Sequence, residues 1–427
     1  MTSFIQNTNF FAGNNPEEIA SEYGTPVYVY NEKILRDRMS KVAKVITKYP
    51  YTANYSVKAN TNIHILKLAL EEGLNCDAMS VGEITLLMKA GFPVERIFFV
   101  PNNVAPCELA FALENGVMTS LDSLSQLELF GEVCNQMEIA PENRKCAVRI
   151  NPGVGAGHHE KVVTGGKKTK FGIAEYSIPQ IFEIAEKYQI TIAGINQHIG
   201  SLFMDPQPYL DAVTNLLRIA HQFKNLEFID FGGGYGIPYH KLDDEKDFPM
   251  EDFKSRLEPI LDEFVASYGK APLFKSEPGR YCVAEGSVIL GRVHATKENS
   301  GIQFAGSDIG MNVLVRPSMY DSHHDIEVIR DGEIVSRDNL IEQTVTGNIC
   351  ESGDILAKNR LLPKIQEGDL ICALDTGAYG WSMCSTYNSR PRPAEVMICA
   401  DGSVKQIRRK ETIEDLKAAR KIFMEQL

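Results

Sequence analysis

Thr52-Ala53-Asn54-Tyr55-Ser56-Val57-Lys58-Ala59-Asn60 is a β-favouring run that delivers a lysine at its end, and an amphipathic stretch, Ile63 to Leu70, follows it with apolar residues at helical spacing. An ammonium brought to the mouth of a buried strand must be paired, desolvated or covalently used, because removing it from water unpaired is costly. Lys58 is therefore a candidate Schiff-base lysine; the alternative is a strand-end lysine whose stem is buried and whose head reaches solvent.

The same strand-then-helix unit recurs. Short β-rich runs lie near 52–57, 74–77, 96–100, 117–121, 146–150, 192–197, 226–231 and 272–276, and between most of them are amphipathic stretches such as Val81 to Lys89, Gln126 to Val133, Ile181 to Tyr188 and Tyr209 to Phe223. Eight strands alternating with helices over about 230 residues fit a (β/α)8 barrel better than an open doubly wound sheet. In such a barrel the chemistry sits at the C-terminal ends of the strands.

Those ends carry the polar residues of interest. Lys58 ends the first strand, Asp77 the second, Arg149-Ile150-Asn151-Pro152 the fifth and His198-Ile199-Gly200-Ser201 the sixth. Gly232-Gly233-Gly234-Tyr235-Gly236 ends the seventh and Glu277-Pro278-Gly279-Arg280 the eighth. Singly, each has a structural explanation: Asp77 and Ser201 as helix caps, His198 as a satisfied core histidine, the glycines as a tight turn. Jointly, on one rim, they describe a pocket for an anionic cofactor with a reactive carbonyl.

From Tyr23-Gly24-Thr25-Pro26-Val27-Tyr28-Val29-Tyr30 to Arg390-Pro391-Arg392-Pro393-Ala394-Glu395-Val396 the chain resembles the fold-type III pyridoxal 5'-phosphate (PLP) decarboxylases, the group that includes ornithine decarboxylase, and most closely the diaminopimelate decarboxylases. The resemblance implies that Lys58 binds the cofactor covalently and that Glu277 faces the pyridine nitrogen, keeping the ring protonated and able to accept an electron pair. Alanine racemase, a relative of the same fold, carries an arginine at that place, so Glu277 argues against a racemase. By the same resemblance His198 stacks on the ring, Ser201, Gly234, Gly279, Arg280 and Tyr379 surround the phosphate, and Asp77 and Arg149 lie near the lysine and the cofactor.

From about residue 284 the helical periodicity gives way to β-branched runs punctuated by Asp331-Gly332 and Asp401-Gly402, which are hairpin turn signals. The expected organisation is a PLP-binding barrel over 32–283 and a β domain over 284–427, which the resemblance completes with the N-terminal segment 1–31, including Pro26 to Tyr30. The charged amphipathic stretch Ile413 to Met424 reads as a solvated surface helix. Cys350 in Cys350-Glu351-Ser352-Gly353-Asp354 matches the family's proton donor, which there reaches into the neighbouring subunit's barrel; the implied assembly is a homodimer with shared active sites.

Arg316-Pro317-Ser318-Met319-Tyr320 resembles the stretch whose arginine and tyrosine hold the distal carboxylate of diaminopimelate, alongside the arginine matched by Arg280. Guanidinium groups suit a carboxylate because their donors pair bidentately. Glu351 is expected to bind the distal ammonium, and Tyr379 to border the substrate as well as the phosphate. The chain departs from the family after Tyr320, where Asp321-Ser322-His323 replaces a common Gly-Ala-Tyr, and the Gly153–Lys170 loop is rich in Gly, Lys and His. That loop reads as a lid. Its His158-His159 pair lacks partners at metal-ligand spacing, and Gly166-Lys167-Lys168-Thr169 lacks the upstream glycine of a nucleotide loop, position 161 being Lys.

With 427 residues, 44% of them hydrophobic, the chain can bury two domains' worth of core, and a net charge of −12 argues against nucleic acid as a partner. Nine cysteines without tandem CxxC spacing fit a reducing cytoplasm, and there is neither a signal peptide nor an apolar run of membrane-spanning length. The implied activity is PLP-dependent decarboxylation of meso-2,6-diaminopimelate at its D-centre, giving L-lysine and CO2, with no metal. The alternatives are a sister decarboxylase acting on D-lysine or D-ornithine and, from another class, a non-catalytic regulatory homologue. Lys58, His198, Glu277, Cys350 and Tyr379 are all present, against the latter.

Overall fold

The computed structural model describes residues 3–151, 153 and 169–424; the His158-His159 pair and Gly166-Lys167-Lys168 lie outside the described residues. The chain divides into two compact units, one comprising Arg38–Ile237 and Asp247–Cys282, the other Met1–Asp37, Pro238–Lys246 and Val283–Leu427.

The first unit is a closed barrel of eight parallel strands: Tyr51–Ser56, Asn75–Ala78, Ile97–Phe99, Met118–Leu121, Lys145–Asn151, Thr191–Asn196, Phe228–Asp230 and Leu273–Ser276. Each pairs with its sequence neighbour, and the eighth pairs with the first, Phe274 opposite Tyr51. Three of the helices between them start at a side-chain cap. Ser80 accepts from Glu83 N–H at the head of Val81–Ala90, Ser123 from Gln126 N–H at the head of Leu124–Gln136, and Asn62 from His64 N–H at the head of Ile63–Glu71.

Because side chains alternate along a strand, every second residue enters the barrel. At the base the interior is apolar: Phe98 and Phe228 meet edge to face at 5.3 Å, and Gly194 leaves room for the Phe228 ring, which a Cβ there would approach to 2.3 Å. Above it the interior turns polar. Asn54 Nδ2 donates to Asp230 Oδ2 at 3.1 Å and Ser120 Oγ to Asn196 Oδ1 at 2.6 Å, all four residues buried. Lys275 places its ammonium 3.9 Å from the Phe228 ring centroid and 4.9 Å from that of Phe98.

In the second unit the strand Val27–Asn31 lies between Ser287–Asn299, antiparallel to it, and Ala394–Ile398, parallel to it. The sheet continues through Leu370–Ala373 and Ile326–Arg330 on one side and Val404–Arg408 on the other. Val27, Val29, Val288, Leu290, Cys372 and Val396 belong to its core. Asp331 and Gly332 adopt positive φ in the turn joining Ile326–Arg330 to Glu333–Ile334, as that dipeptide requires. The Pro238–Lys246 segment joins this unit through Lys241, whose ammonium sits 2.6 Å from Asp375 Oδ1 and 3.0 Å from Glu285 Oε1, and through Leu242 N–H, which donates to Asp325. Ile413–Met424 is a helix. Among the described residues no helix is long and apolar enough to cross a membrane.

Candidate active site

Nine of the expected site residues lie in the barrel unit, on the rim where the strands end. Lys58 sits in a single 3-10 turn, Val57–Ala59, immediately after the first strand. Asp77, wholly buried at the end of the second, accepts from Ser56 Oγ at 2.7 Å through Oδ1, while its Oδ2 has no hydrogen-bond partner among the described residues. Burial raises its pKa, and the Lys58 ammonium and the Ser56 hydroxyl oppose the rise. The Ser56 hydroxyl also lies 3.1 Å from the Glu277 carbonyl, so one short side chain ties the ends of the first, second and eighth strands together.

Glu277 is strongly perturbed. Its side chain is buried, with Oε1 lacking a partner among the described residues. Burial lifts its pKa well above the usual carboxylate range; Asp230 and Asp77 add to the rise, and Lys58 and Arg149 work against it. Arg149, also buried, has Nε 3.7 Å from Asp122 Oδ1 and its guanidinium 4.5 Å from the Phe171 ring centroid, and Nη2 is without a partner among the described residues. Asp122 in turn accepts from Gly172 N–H at 3.0 Å.

The glycines after the seventh strand are fixed by close approach. A Cβ at Gly233 would lie 1.8 Å from the Glu277 carbonyl oxygen; one at Gly234, where φ is +120°, would lie 2.5 Å from the Gly200 carbonyl oxygen and 2.4 Å from the Phe203 ring. The run thus wedges between the ends of the sixth and eighth strands. Gly233 N–H donates to His198 Nδ1 at 3.1 Å, which in a neutral imidazole leaves the proton on Nε2. Burial, Lys58 and Arg149 all hold His198 well below its usual pKa, so it is neutral. Arg280 reaches Ser201 Oγ with Nε at 3.3 Å and Nη2 at 3.2 Å, which brings a guanidinium and a hydroxyl together beside Gly234 and the Gly200 carbonyl. The Gly279 position approaches Ser56 in the same way, 2.9 Å from a built Cβ to Ser56 Cβ.

These residues fit PLP. A buried carboxyl with an unpartnered oxygen and a raised pKa is what a protonated ring nitrogen would satisfy, and ionise, on arrival. A crowded glycine turn beside a hydroxyl and a guanidinium suits a phosphate. The lysine supplies the amine for a covalent bond to the aldehyde.

The remaining five lie in the sheet unit. Tyr379, at φ +58°, follows the buried loop Asp375–Ala378, in which Gly377 N–H donates to Ala284 O at 3.2 Å. Arg316 opens the short helix Arg316–Tyr320 and is 1% exposed, with Nη1 2.8 Å from His324 Nε2; Tyr320 ends that helix, half-buried. Cys350 and Glu351 are exposed: Cys350 N–H donates to Asn388 Oδ1 at 3.0 Å, and Glu351 accepts from the Tyr387 hydroxyl at 2.5 Å.

Several polar residues around the rim were not singled out from sequence. Asp230, wholly buried, accepts from Gly232 N–H at 2.9 Å as well as from Asn54, and Asp122 partners Arg149. The available signal was period two: Asn54 with Ser56, and Lys275 with Glu277, place polar groups on the inner face of strands that otherwise read as apolar.

Comparison with known proteins agrees with this geometry. The family described as "Pyridoxal-dependent decarboxylase, pyridoxal binding domain" matches residues 32–284. A diaminopimelate decarboxylase of Methanothermobacter thermautotrophicus is 42% identical, covering 95% of this chain and 93% of its own, and the one from Escherichia coli K12 is 32% identical over 94% of each. Among solved structures, diaminopimelate decarboxylase from Helicobacter pylori complexed with L-lysine superposes with a TM-score of 0.86 at 30% identity, covering 95% of this chain and 99% of the other. A barrel rim that fits PLP, a family match over the barrel and diaminopimelate decarboxylase relatives matched nearly end to end give one result: the chain belongs to the diaminopimelate decarboxylases, within the pyridoxal-dependent decarboxylase family.

Proposed function

We propose that the protein decarboxylates meso-2,6-diaminopimelate at its D-centre to L-lysine and CO2, using PLP held by a barrel domain of residues 32–283, with a β domain of 284–427 completed by 1–31. The observation that carries the cofactor assignment is the buried Glu277 carboxyl, whose Oε1 has no hydrogen-bond partner among the described residues, on a rim that also holds Lys58, His198 and the Gly233–Gly234 wedge. PLP, when bound, supplies the electron sink for the pair left on carbon as the bond to the carboxylate breaks. Lys58 would hold it through its amine. Glu277 holds a proton on the ring nitrogen, and Asp77 and Arg149 set the local charge. His198, neutral and fixed by Gly233, would pack against the cofactor. Ser201, Gly234, Gly279, Arg280 and Tyr379 hold the phosphate.

At the other end of the substrate, Arg316, Tyr320 and Arg280 take the distal carboxylate and Glu351 the distal ammonium, with Tyr379 alongside. Cys350 Sγ delivers the proton that replaces CO2 on carbon, supplied from the second subunit of a homodimer acting in the cytoplasm; its exposure in the single chain is compatible with that role. The test is a spectrum with a CO2 assay. PLP-loaded wild type should absorb in the visible and release CO2 from meso-diaminopimelate, and Lys58→Ala should lose the covalent linkage and nearly all activity. A colourless protein after incubation with PLP refutes the cofactor role, and equal turnover of D-lysine or D-ornithine refutes the substrate.

A further inference from the structure

Among the described contacts of Arg316 are neutral groups whose hydrogen-bonding states can be deduced. His324, with no exposed surface, has Nδ1 2.7 Å from the Leu374 carbonyl oxygen and Nε2 2.8 Å from Arg316 Nη1. A carbonyl only accepts, so Nδ1 carries the proton; a guanidinium only donates, so Nε2 presents its lone pair. The imidazole is therefore neutral and of one tautomer, and a second proton would break the Arg316 bond and set two cations side by side in a dry interior. Ser322 Oγ lies 3.4 Å from Nη2, and the Tyr239 ring supports both partners, its centroid 4.7 Å from the Arg316 guanidinium carbon and 5.4 Å from the imidazole.

The choice of a neutral acceptor has a consequence for binding. A carboxylate in the place of His324 would fix the guanidinium equally well but would neutralise it, competing with an incoming anion. An imidazole lone pair orients Nη1 without itself neutralising the guanidinium, while removing part of the rotamer freedom that makes a long side chain costly to order.

We propose that His324 is a positioning residue for substrate choice, a neutral Nδ1–H imidazole that aims the Arg316 guanidinium at the distal carboxylate. The inference rests on the role proposed above for Arg316. Two variants separate its two bonds. In His324→Asn the amide nitrogen replaces Nδ1 and keeps the bond to Leu374, but nothing reaches Arg316; in His324→Gln the amide oxygen reaches Arg316.

The measurement is equilibrium binding of L-lysine, which keeps the distal carboxylate, and of cadaverine, which lacks it, to the PLP-loaded proteins, with a thermal melt of each. Wild type should prefer L-lysine. His324→Asn should lose about tenfold or more of that preference, as for a buried hydrogen bond to a charged group, with cadaverine affinity unchanged. His324→Gln should keep most of it. An unchanged preference in His324→Asn overturns the proposal, as does an equal loss of both ligands in both variants, which would make His324 a structural residue only. Should His324→Asn fail to fold, His324→Gln decides: preference kept supports the proposal, and preference lost with a normal melt overturns it. A wild type without preference would overturn the role of Arg316 itself, a result distinct from any of these.

Discussion

Gly233→Ala tests the wedge that joins three strand ends. A Cβ there would stand 1.8 Å from the Glu277 carbonyl oxygen and 2.6 Å from its carbonyl carbon, against a practical floor near 3.0 Å. One of the two backbones must retreat by about 1.2 Å, and neither is free to do so, since overpacking of this kind costs about 1–3 kcal/mol. Glu277 N–H is bonded to Gly232 O at 3.0 Å and Gly233 N–H to His198 Nδ1 at 3.1 Å. Loss of the His198 bond adds about 1 kcal/mol, so the total is about 2–4 kcal/mol. The same shift moves Glu277 and His198 against the cofactor, and a misplacement of about 1 Å is sufficient for a loss of about 10²-fold in rate. The assay pairs urea unfolding with kcat and retention of PLP through gel filtration. Gly82→Ala is the control: it sits within the helix Val81–Ala90 and its Cβ would meet only Ser80 Oγ, at 3.6 Å, so it should be neutral or slightly stabilising. A Gly233→Ala protein with the wild-type urea midpoint and wild-type kcat would refute the wedge.

Mixing inactive Lys58→Ala and Cys350→Ala subunits should restore up to about one quarter of wild-type activity, because random heterodimers hold one intact site of two; no recovery despite verified subunit exchange would deny Cys350 its role across an interface. Arg316→Ala should lower kcat/KM for meso-diaminopimelate by about 10²-fold or more while leaving D-lysine turnover little changed, as expected when a site's polar group loses the anion it was built for; an equal loss on both substrates would contradict the assignment. Burial pushes Asp230 up to about 7 against the lowering influence of Gly232 N–H and Lys275. From the ordinary carboxylate range to that value the folded state holds a proton that the unfolded chain has released, so stability falls as pH rises through this window. Asp230→Asn should flatten the fall by up to about 1.4 kcal/mol per pH unit, Asn54 turning its Oδ1, which has no partner among the described residues, to accept from the new amide. Parallel urea-midpoint profiles from pH 5 to 8 would count against it.

The barrel was legible because its signal is local. Apolar runs of strand length are separated by amphipathic helices, and the observed strands Tyr51–Ser56, Lys145–Asn151 and Thr191–Asn196 fall within a residue or so of the runs read from sequence. Met250–Tyr268 was not singled out: it is rich in charge, and Pro259 inside it normally marks a helix boundary. The rim residues were legible by position, since a lysine, a histidine and a glycine run each end a strand. Asp122 and Asp230 were not, because their partners, Arg149 and Asn54, come from other strands and no spacing along the chain announces the pairing. His324 was passed over beside the more unusual Asp321-Ser322-His323; its importance appears only when Leu374 is seen on one side of the ring and Arg316 on the other.

The strand Val27–Asn31 has a bearing on how the protein is made. Its place is between a strand that starts at Ser287 and another that starts at Ala394, and the Tyr30 hydroxyl bonds Glu395 across 365 residues. On a ribosome adding about 5–20 residues per second, Val27-Tyr28-Val29-Tyr30 emerges roughly 20–70 s before its last neighbour exists. For that interval an aromatic, β-branched segment with no charge waits beside a nascent barrel whose own partners are already being synthesised. The barrel has the opportunity to form during translation, whereas the sheet closes only near its end. The early strand, with the edge it would offer to other chains, therefore stays without its full pair of neighbours until translation is nearly complete.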